Sequence, residues 1–540
     1  MMNSLLSRKD VVELLDLPNE IILAIMNKVK PQALLLSSII GIGNNRLELL
    51  VFDKCHSIDV TSDYSGSPHR TLITRFFFNV MPRICNSIQS LIINLAHICY
   101  LDHITKLIDD NSLSNFIHLK IMTGRLYDNT GTRYTSYYYD NEFHHYPLFS
   151  TVPQLFYLND LLAEKLVLFI HCSPFMRSIV SFEYDHDCAL SVPSSDKGLF
   201  FTQSPHLTHV SITLRQFHDC VCLLNQLGSQ LHSFSVSIVH VRLDENNSIS
   251  QLTSIFCPNL KYLTMTIYRN ILHYEQCILP LLQRLSNVEH LTLLLTVSVK
   301  GSGPDHFIDG FDLERDIILY MPQLRQLNFH IRSILRQAPH IESDTICQSF
   351  VKYEQSIDCA LDYFNNKYGQ CQIYSLPFIG NRLDFISNRF PLFDVKNRFS
   401  NVTILLLFDD VKSFETVFFE RISRALPRLQ TLEVINQLEQ EEKIKTTINI
   451  IEFHHLSLLI LHDIHVNYAE QFLCQSRLPC LVELIIRDDA LSTIIDQNQQ
   501  QAKDNCSKVE TLQIVEPWIE PTNVHLNFFP CLHSKIVDQS

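Results

Sequence analysis

The chain has 540 residues, and 43 Lys plus Arg against 57 Asp plus Glu give it a formal net charge of −14. That balance works against nonspecific nucleic-acid binding, which needs clustered cations on phosphate, and 12 glycines are too few to suggest a phosphate-cradling loop. An apolar share of 46% with 19% charged marks a folded chain, yet the length exceeds the roughly 100–200 residues of one compact core.

Residues 11–55 read as a small helical module. Asp16 can cap a helix whose first turn holds Pro18, tolerated where its missing N–H would be unpaired anyway, and Glu20, favoured at the positive end of the helix dipole. Leu17, Ile21, Ile22, Ile25 and Val29 follow at helical spacing and predict one apolar stripe. Pro31 ends the helix, Gln32 to Ile40 starts a second apolar segment, and Gly41 and Gly43 break that one.

From residue 70 to 540 the dominant feature is a recurring strand opening, an apolar residue, two positions, then a second apolar residue. Ile88-x-x-Leu91 and Phe116-x-x-Leu119 start the series, and Ser178 to Tyr184 is a further strand. The regular examples begin at Leu207, Leu231, Leu260, Val288 and Leu324, and after a break at Val402, Leu429, Leu456, Leu481 and Val509. Their steps of about 24–36 residues match or slightly exceed the roughly 20–29-residue period of leucine-rich arrays. A helical pattern follows the strand in the best unit, where Val402 to Phe408 is β-rich and Phe414, Val417, Phe418, Ile422 and Leu426 recur at helical spacing. Pro205, Pro258, Pro322, Pro427 and Pro479 stand ahead of strands, where a proline sets the entry without breaking a central ladder. The expected fold is therefore α/β: a small N-terminal helical module followed by a curved, degenerate leucine-rich-repeat-like solenoid of parallel strands. No asparagine recurs regularly after the strands to form a side-chain ladder.

Two stretches interrupt the period. Residues 125–150 carry Tyr134, Tyr137, Tyr138, Tyr139, His144, His145 and Tyr146, and residues 333–398 carry Phe350, Tyr353, Tyr363, Phe364, Tyr368, Tyr374, Phe378, Phe385, Phe390 and Phe393. They read as packing over the edge of the array or as cryptic repeats, the gap from Leu324 to Val402 being about three units long. The competing reading is that their aromatic rings meet a partner.

Chemistry is sparse. The 16 cysteines form no C-x-x-C, and Cys257, Cys277 and Cys480 sit where a small hydrophobe fits, which predicts free thiols in a reducing compartment. The adjacent pairs His144-His145 and His454-His455 point apart and cannot share a metal. Asp185-His186-Asp187-Cys188 reads as a polar loop without a second ligand cluster. With no nucleophile, metalloprotease or P-loop motif, the expectation is no catalytic residue, no cofactor and no metal. The opening residues lack the apolar run of a signal peptide and no long uncharged apolar stretch follows, which predicts a soluble protein of the cytoplasm and/or nucleus, off the membrane.

Leu17-Pro18-Asn19-Glu20, then Ile21, Ile22, Ile25 and Val29, then Ala33, Leu34 and Leu35 after a short turn, resemble an F-box. The whole chain is similar in texture to F-box proteins of small aquatic invertebrates. The resemblance implies docking on the Skp-family adaptor of a cullin ubiquitin-ligase complex through Leu17, Pro18, Glu20, Ile21, Ile22, Ile25, Val29, Leu34 and Leu35. It also implies a protein substrate on the solenoid and a receptor that is not itself an enzyme. The second half departs from the family pattern, since Ile39 to Leu47 holds no tryptophan and the single one is Trp518. The alternative is a leucine-rich scaffold with no ligase link, its first helices serving as a lid on the solenoid end.

Overall fold

Each recurring motif does two jobs, closing a turn with its first residue and opening a strand before its second. The computed structural model describes residues 17–28, 32–40, 44–54, 57–60, 73–105, 115–122, 135–136, 156–158, 160–184, 188–190, 201, 203–241, 251–271, 273–299, 306–351, 356–365, 367–390, 398–441, 450–515 and 522–532. In the turn, the N–H of the first motif residue donates to the carbonyl three residues back, as in Ile88 to Cys85, Leu260 to Cys257, Val288 to Leu285, Leu324 to Met321, Leu429 to Leu426 and Val509 to Cys506. The residue that supplies this backbone carbonyl is itself apolar and buried in each of these units, so the turn folds inward onto the core.

Strands then follow: β1 (Ser57–Asp59), β2 (Ser90–Asn94), β3 (His118–Met122), β4 (Ser181–Tyr184), β5 (His209–Gln216), β6 (Ser233–His240), β7 (Tyr262–Ile271), β8 (His290–Val299), β9 (Gln326–Arg336), β10 (Ile357–Tyr363) and β11 (Tyr368–Ser375). They form an 11-stranded sheet ordered β1-β2-β3-β4-β5-β6-β7-β8-β9-β11-β10. Strands β1 to β9 run parallel, while β11 and β10 are antiparallel additions at one edge. A second, 6-stranded parallel sheet takes β12 (Arg382–Ile386), β13 (Ile404–Phe408), β14 (Thr431–Asn436), β15 (Leu458–Ile464), β16 (Glu483–Arg487) and β17 (Thr511–Val515) in chain order. The protein is thus mixed α/β, with large parallel sheets and helices between strands.

The second motif residue keeps register across the parallel strands of each sheet. Ile58, Leu91, Leu119, Phe182, Val210, Phe234, Leu263, Leu291 and Leu327 are successive cross-strand partners. Leu383, Leu405, Leu432, Leu459, Leu484 and Leu512 do the same in the second sheet. All but the half-buried Leu327 are buried, each contributing about 1.5–3 kcal/mol of apolar transfer. A backbone clasp fixes this register. The carbonyl one residue past the motif start accepts two N–H groups from the next unit, as His232 does from Lys261 and Tyr262, Lys261 from Glu289 and His290, and Gln430 from Ser457 and Leu458.

No regular asparagine ladder follows the strands, but side-chain links between units stand just before the motif. Asn115, Asn259 and Asn287 stand one residue before the motif and donate Nδ2 to the carbonyls of Asn86 (2.8 Å), Ser229 (2.7 Å) and Pro258 (3.1 Å) in the preceding unit.

The stretch 333–398 is not a run of three parallel repeats. Among its described residues it holds the end of β9, the antiparallel β10–β11 hairpin and one further parallel strand, β12. Its aromatic residues Phe350, Phe364, Tyr368, Tyr374, Phe378, Phe385 and Phe390 are buried, so packing claims them; Tyr353 and Phe393 lie outside the described residues. Of 125–150 only Thr135–Ser136 is described, in a separate three-stranded sheet with Phe156–Leu158 and Cys188–Ala189. Cys257 and Cys277 are buried as expected, whereas Cys480 is exposed.

Among the described residues three helices precede β1: α1 (Asn19–Lys28), α2 (Gln32–Ile39) and α3 (Asn45–Lys54). The Pro18 carbonyl accepts from the N–H groups of Ile21 and Ile22, both at 3.1 Å, and starts α1. Arg46 on α3 ties back to that start, Nε to Asn19 Oδ1 at 2.9 Å and Nη2 to the Leu17 carbonyl at 2.7 Å. Helix α2 packs against β1 and the Phe76–Val80 turn, and the buried residues of all three helices belong to the same core as the sheet. No helix among the described residues is long and apolar enough to cross a membrane.

Candidate functional site

Helix α1 presents two apolar faces rather than the single stripe the spacing suggests. Ile22 and Met26 turn inward and are buried, while Ile21 and Ile25 turn outward, 47% and 40% exposed. The reason is the helical step: Ile21 and Ile22 are about 100° apart, so they cannot share one narrow face. Pro18 and Glu20 are exposed, and Leu17 and Leu35 are half-buried against the core. Of the other residues expected on this face, Val29 lies outside the described residues, as do Asp16 and the side chain of Leu34. The structure therefore keeps Pro18, Glu20, Ile21 and Ile25 accessible and commits Ile22 to the core. Glu48 on α3 pairs with Arg83 at 2.9 Å, fastening the module to the first strand-bearing unit.

A second surface lies on the sheet face opposite the core, at the strand starts. The register places Ser90, His118, Ser181, His209, Ser233, Tyr262, His290 and Gln326 in one row. Rings meet along it. His209 and His232 have centroids 5.7 Å apart, His232 and Tyr262 5.4 Å, and Tyr262 stacks on His290 at 4.6 Å with planes 7° apart. His290 Nδ1 lies 3.2 Å from Gln326 Oε1. At the other end Glu183 joins Lys120 at 2.9 Å and His118 at 3.4 Å, and the His118 hydrogen bond, with Lys120 and against the opposing effect of burial, holds its carboxyl well below the usual range, at about 2. Burial and the neighbouring His232 push the His209 pKa down, so its ring is neutral at pH 7. This row was not singled out in the sequence. Its signal is a polar or aromatic residue one place before the second motif position, visible only once the units are aligned.

The third feature is a buried polar joint between the two sheets. Ile334 of β9, with Phe364 and Tyr368 of the hairpin, packs on Phe385, Leu406, Phe408 and Ile435 of the second sheet. These last side chains point away from their own sheet's core, which Leu405 and Leu407 face. Arg382 Nε grips both Asp384 oxygens at 2.8 and 2.7 Å, and the Arg332 guanidinium lies 4.2 Å from the Phe385 ring centre. Gln370 and Gln372 donate to the carbonyls of Phe385 (2.9 Å) and Asp384 (3.2 Å). Glu433 has one oxygen 3.7 Å from His462 Nδ1, and its Oε2 has no hydrogen-bond partner. Burial pushes its pKa up to about 8 against the pull of Arg382, and drives His330 down to about 4.

Among the described residues no group of three or more His, Cys, Asp or Glu is placed to hold a metal. Asp185, His186, Asp187 and the pair His144-His145 lie outside the described residues. His454 is exposed and pairs with Glu452 at 3.3 Å.

No family model matches the chain. No curated protein matches it either. Solved structures of 23 chains do. One is a crystal structure of a TLR13–ssRNA13 complex, 13% identical, with a TM-score of 0.27, covering 81% of this chain and 52% of that one. The chain spans about half the length of that neighbour.

Proposed function

We propose that the protein is the substrate-receptor subunit of a Skp–cullin–F-box type ubiquitin ligase, with a leucine-rich-repeat-like solenoid as the substrate-holding part. The supporting observation is the outward face of α1. Ile21 and Ile25 stay 47% and 40% exposed although the helix already anchors itself through Ile22 and Met26. An apolar pair left over after packing, beside exposed Pro18 and Glu20, suits a docking helix. The adaptor would take this face. The protein substrate would meet the free sheet face, where His209, Tyr262 and His290 of the row, with His232 just before β6, offer rings with polar tips. The receptor's contribution is proximity, raising the effective concentration of substrate near the charged enzyme. No nucleophile, cofactor or metal of its own enters that role, which belongs in the cytoplasm or nucleus.

The second reading is a leucine-rich binding scaffold whose helices α1–α3 are a lid. It is favoured by their burial in one core with β1 and β2. Co-purification with a Skp-family adaptor separates the two. Stoichiometric capture by the wild type, lost in Ile21→Asp/Ile25→Asp while circular dichroism is unchanged, supports the ligase receptor. Capture that survives those substitutions, or none at all, leaves the scaffold. Leu17→Asp is a poorer probe because Leu17 also packs on the core.

A further inference from the structure

We propose that Cys347 and Cys359 form a peroxide-responsive thiol pair, whose closure to a disulfide staples the connection after β9 onto the edge strand of the large sheet. The inference is independent of the ligase reading. The Sγ atoms are 3.4 Å apart across 12 positions of sequence. Cys347 sits on the short helix Ser343–Gln348, which packs on β10, the strand that carries Cys359. A disulfide needs its sulfurs about 2.05 Å apart, so closure asks for an approach on the order of 1.4 Å, within reach of a thiol rotation.

The surroundings hold both thiols in place. Ser349, one residue past the helix, accepts from the Gly310 N–H at 2.7 Å and donates to the Ile346 carbonyl at 2.6 Å. Phe350 stacks on Phe329 of β9 with centroids 5.7 Å apart. On the strand side, Cys359 lies opposite Ile373, and its Sγ is 3.4 Å from the Ser343 carbonyl. Asp358 beside it bonds Arg398, in the connection between β12 and β13. The pair therefore lies within the core of the large sheet, at its antiparallel edge.

Exposure divides the chemistry. Cys347 is half-buried and Cys359 buried, and burial together with the Cys347 thiol raises the Cys359 pKa. Cys347 is thus the thiol that meets a hydroperoxide. Its thiolate attacks the terminal oxygen, the S–O bond forms as O–O breaks, and the leaving hydroxide takes a proton to become water. Cys359, deprotonated in turn, attacks the sulfenic sulfur; S–S forms, S–O breaks, and a second water leaves. Two thiols lose two electrons and the peroxide is reduced to two waters. A dithiol reverses the reaction by exchange.

The test uses the full chain treated with hydrogen peroxide, blocked with N-ethylmaleimide and digested without reductant for mass spectrometry. The expected result is a Cys347–Cys359 linked peptide that dithiothreitol releases. Its yield should be several-fold above that of guanidinium-unfolded chain, absent in Cys347→Ser and Cys359→Ser, and kept in Cys371→Ser. Half-exposed Cys347 tolerates serine, so that variant reads the chemistry and not misfolding. Oxidation should also raise the melting temperature of the wild type and of Cys371→Ser, but not of Cys347→Ser. Accumulation of Cys347 sulfinic or sulfonic acid without the link, a link to Cys371 instead, or equal yield from unfolded chain would overturn the proposal.

Discussion

Glu433 is the sharpest place to test the energetics of the joint. Its side chain is buried, with one oxygen bare and with His462, Arg382 and Asp384 as charged or titratable neighbours. Desolvation lifts its pKa from 4.5 to about 8. A carboxyl with a raised folded pKa keeps its proton in the folded state while the unfolded chain releases it. Stability then falls as pH rises from about 4.5 to about 8 and is flat above. At about 1.4 kcal/mol per unit the whole span is on the order of 4–5 kcal/mol, and the part between pH 6 and 8 about 2–3 kcal/mol. Glu433→Gln removes this dependence while keeping shape and one donor. The variant's advantage over wild type should therefore grow by about 2–3 kcal/mol from pH 6 to pH 9. His330, pushed down to about 4, acts mainly below that window, and Arg332, lowered to about 9 by burial, acts at its upper end, but both are common to the two proteins and cancel in the comparison. The assay is hydrogen exchange on peptides spanning β12–β15, wild type against variant at each pH. A gap that stays constant from pH 6 to pH 9 would refute the reasoning. It would mean that Arg382 holds Glu433 ionised throughout.

Two further predictions follow from packing. Leu291→Ala empties a buried site between Leu263 and Leu327 and should cost about 2–5 kcal/mol. Because units in such a stack lean on their neighbours, exchange should quicken around β7–β9 far more than in β15–β17; uniform loosening of both sheets would contradict this. Gly310→Ala would place a Cβ 2.5 Å from the Ser349 carbonyl oxygen. Since the added Cβ is fixed by the main chain and meets a backbone oxygen, relief requires a main-chain shift costing about 1–3 kcal/mol, read as a lowered melting temperature; an unchanged melting temperature would show that the Ser349 turn yields freely.

The repeat was legible because a parallel strand buried on the core side needs an apolar residue at fixed register. Leu207, Leu260, Val402 and Leu456 each announce a strand that the structure contains, and the apolar segments read as helical stand as helices at Asn19–Lys28 and Gln32–Ile39, the first beginning after Pro18 and its expected cap Asp16 lying outside the described residues. The hairpin Ile357–Tyr363 with Tyr368–Ser375 was not legible. Its residues carry no motif spacing, and an antiparallel edge strand differs from a degenerate repeat by its partner, which spacing does not encode. The inter-unit asparagines escaped for a related reason. Asn259 and Asn287 bond backward to carbonyls about one repeat away, so their role appears only when units are laid side by side.

The same limit explains why the two surfaces of interest were read unequally. Ile21, Ile22 and Ile25 are equal in hydropathy, and a count of apolar spacings places all three on one stripe. What separates them is the competition for the core. The inward azimuth of α1 is taken by Ile22 and Met26, which share a core with Leu36, Ile39 and Leu47 of α2 and α3. Arg46, holding Asn19 and the Leu17 carbonyl, fixes the helix against rotation. Exposing Ile22 in place of Ile21 would break both of those hydrogen bonds and empty a buried site, at about 2–5 kcal/mol for the cavity alone. The outward position of Ile21 and Ile25 is therefore a consequence of the inward packing and the Arg46 tie, not a choice left to a partner. A ligand on that face would find it already formed, and would bind without the ordering cost that a flexible segment carries.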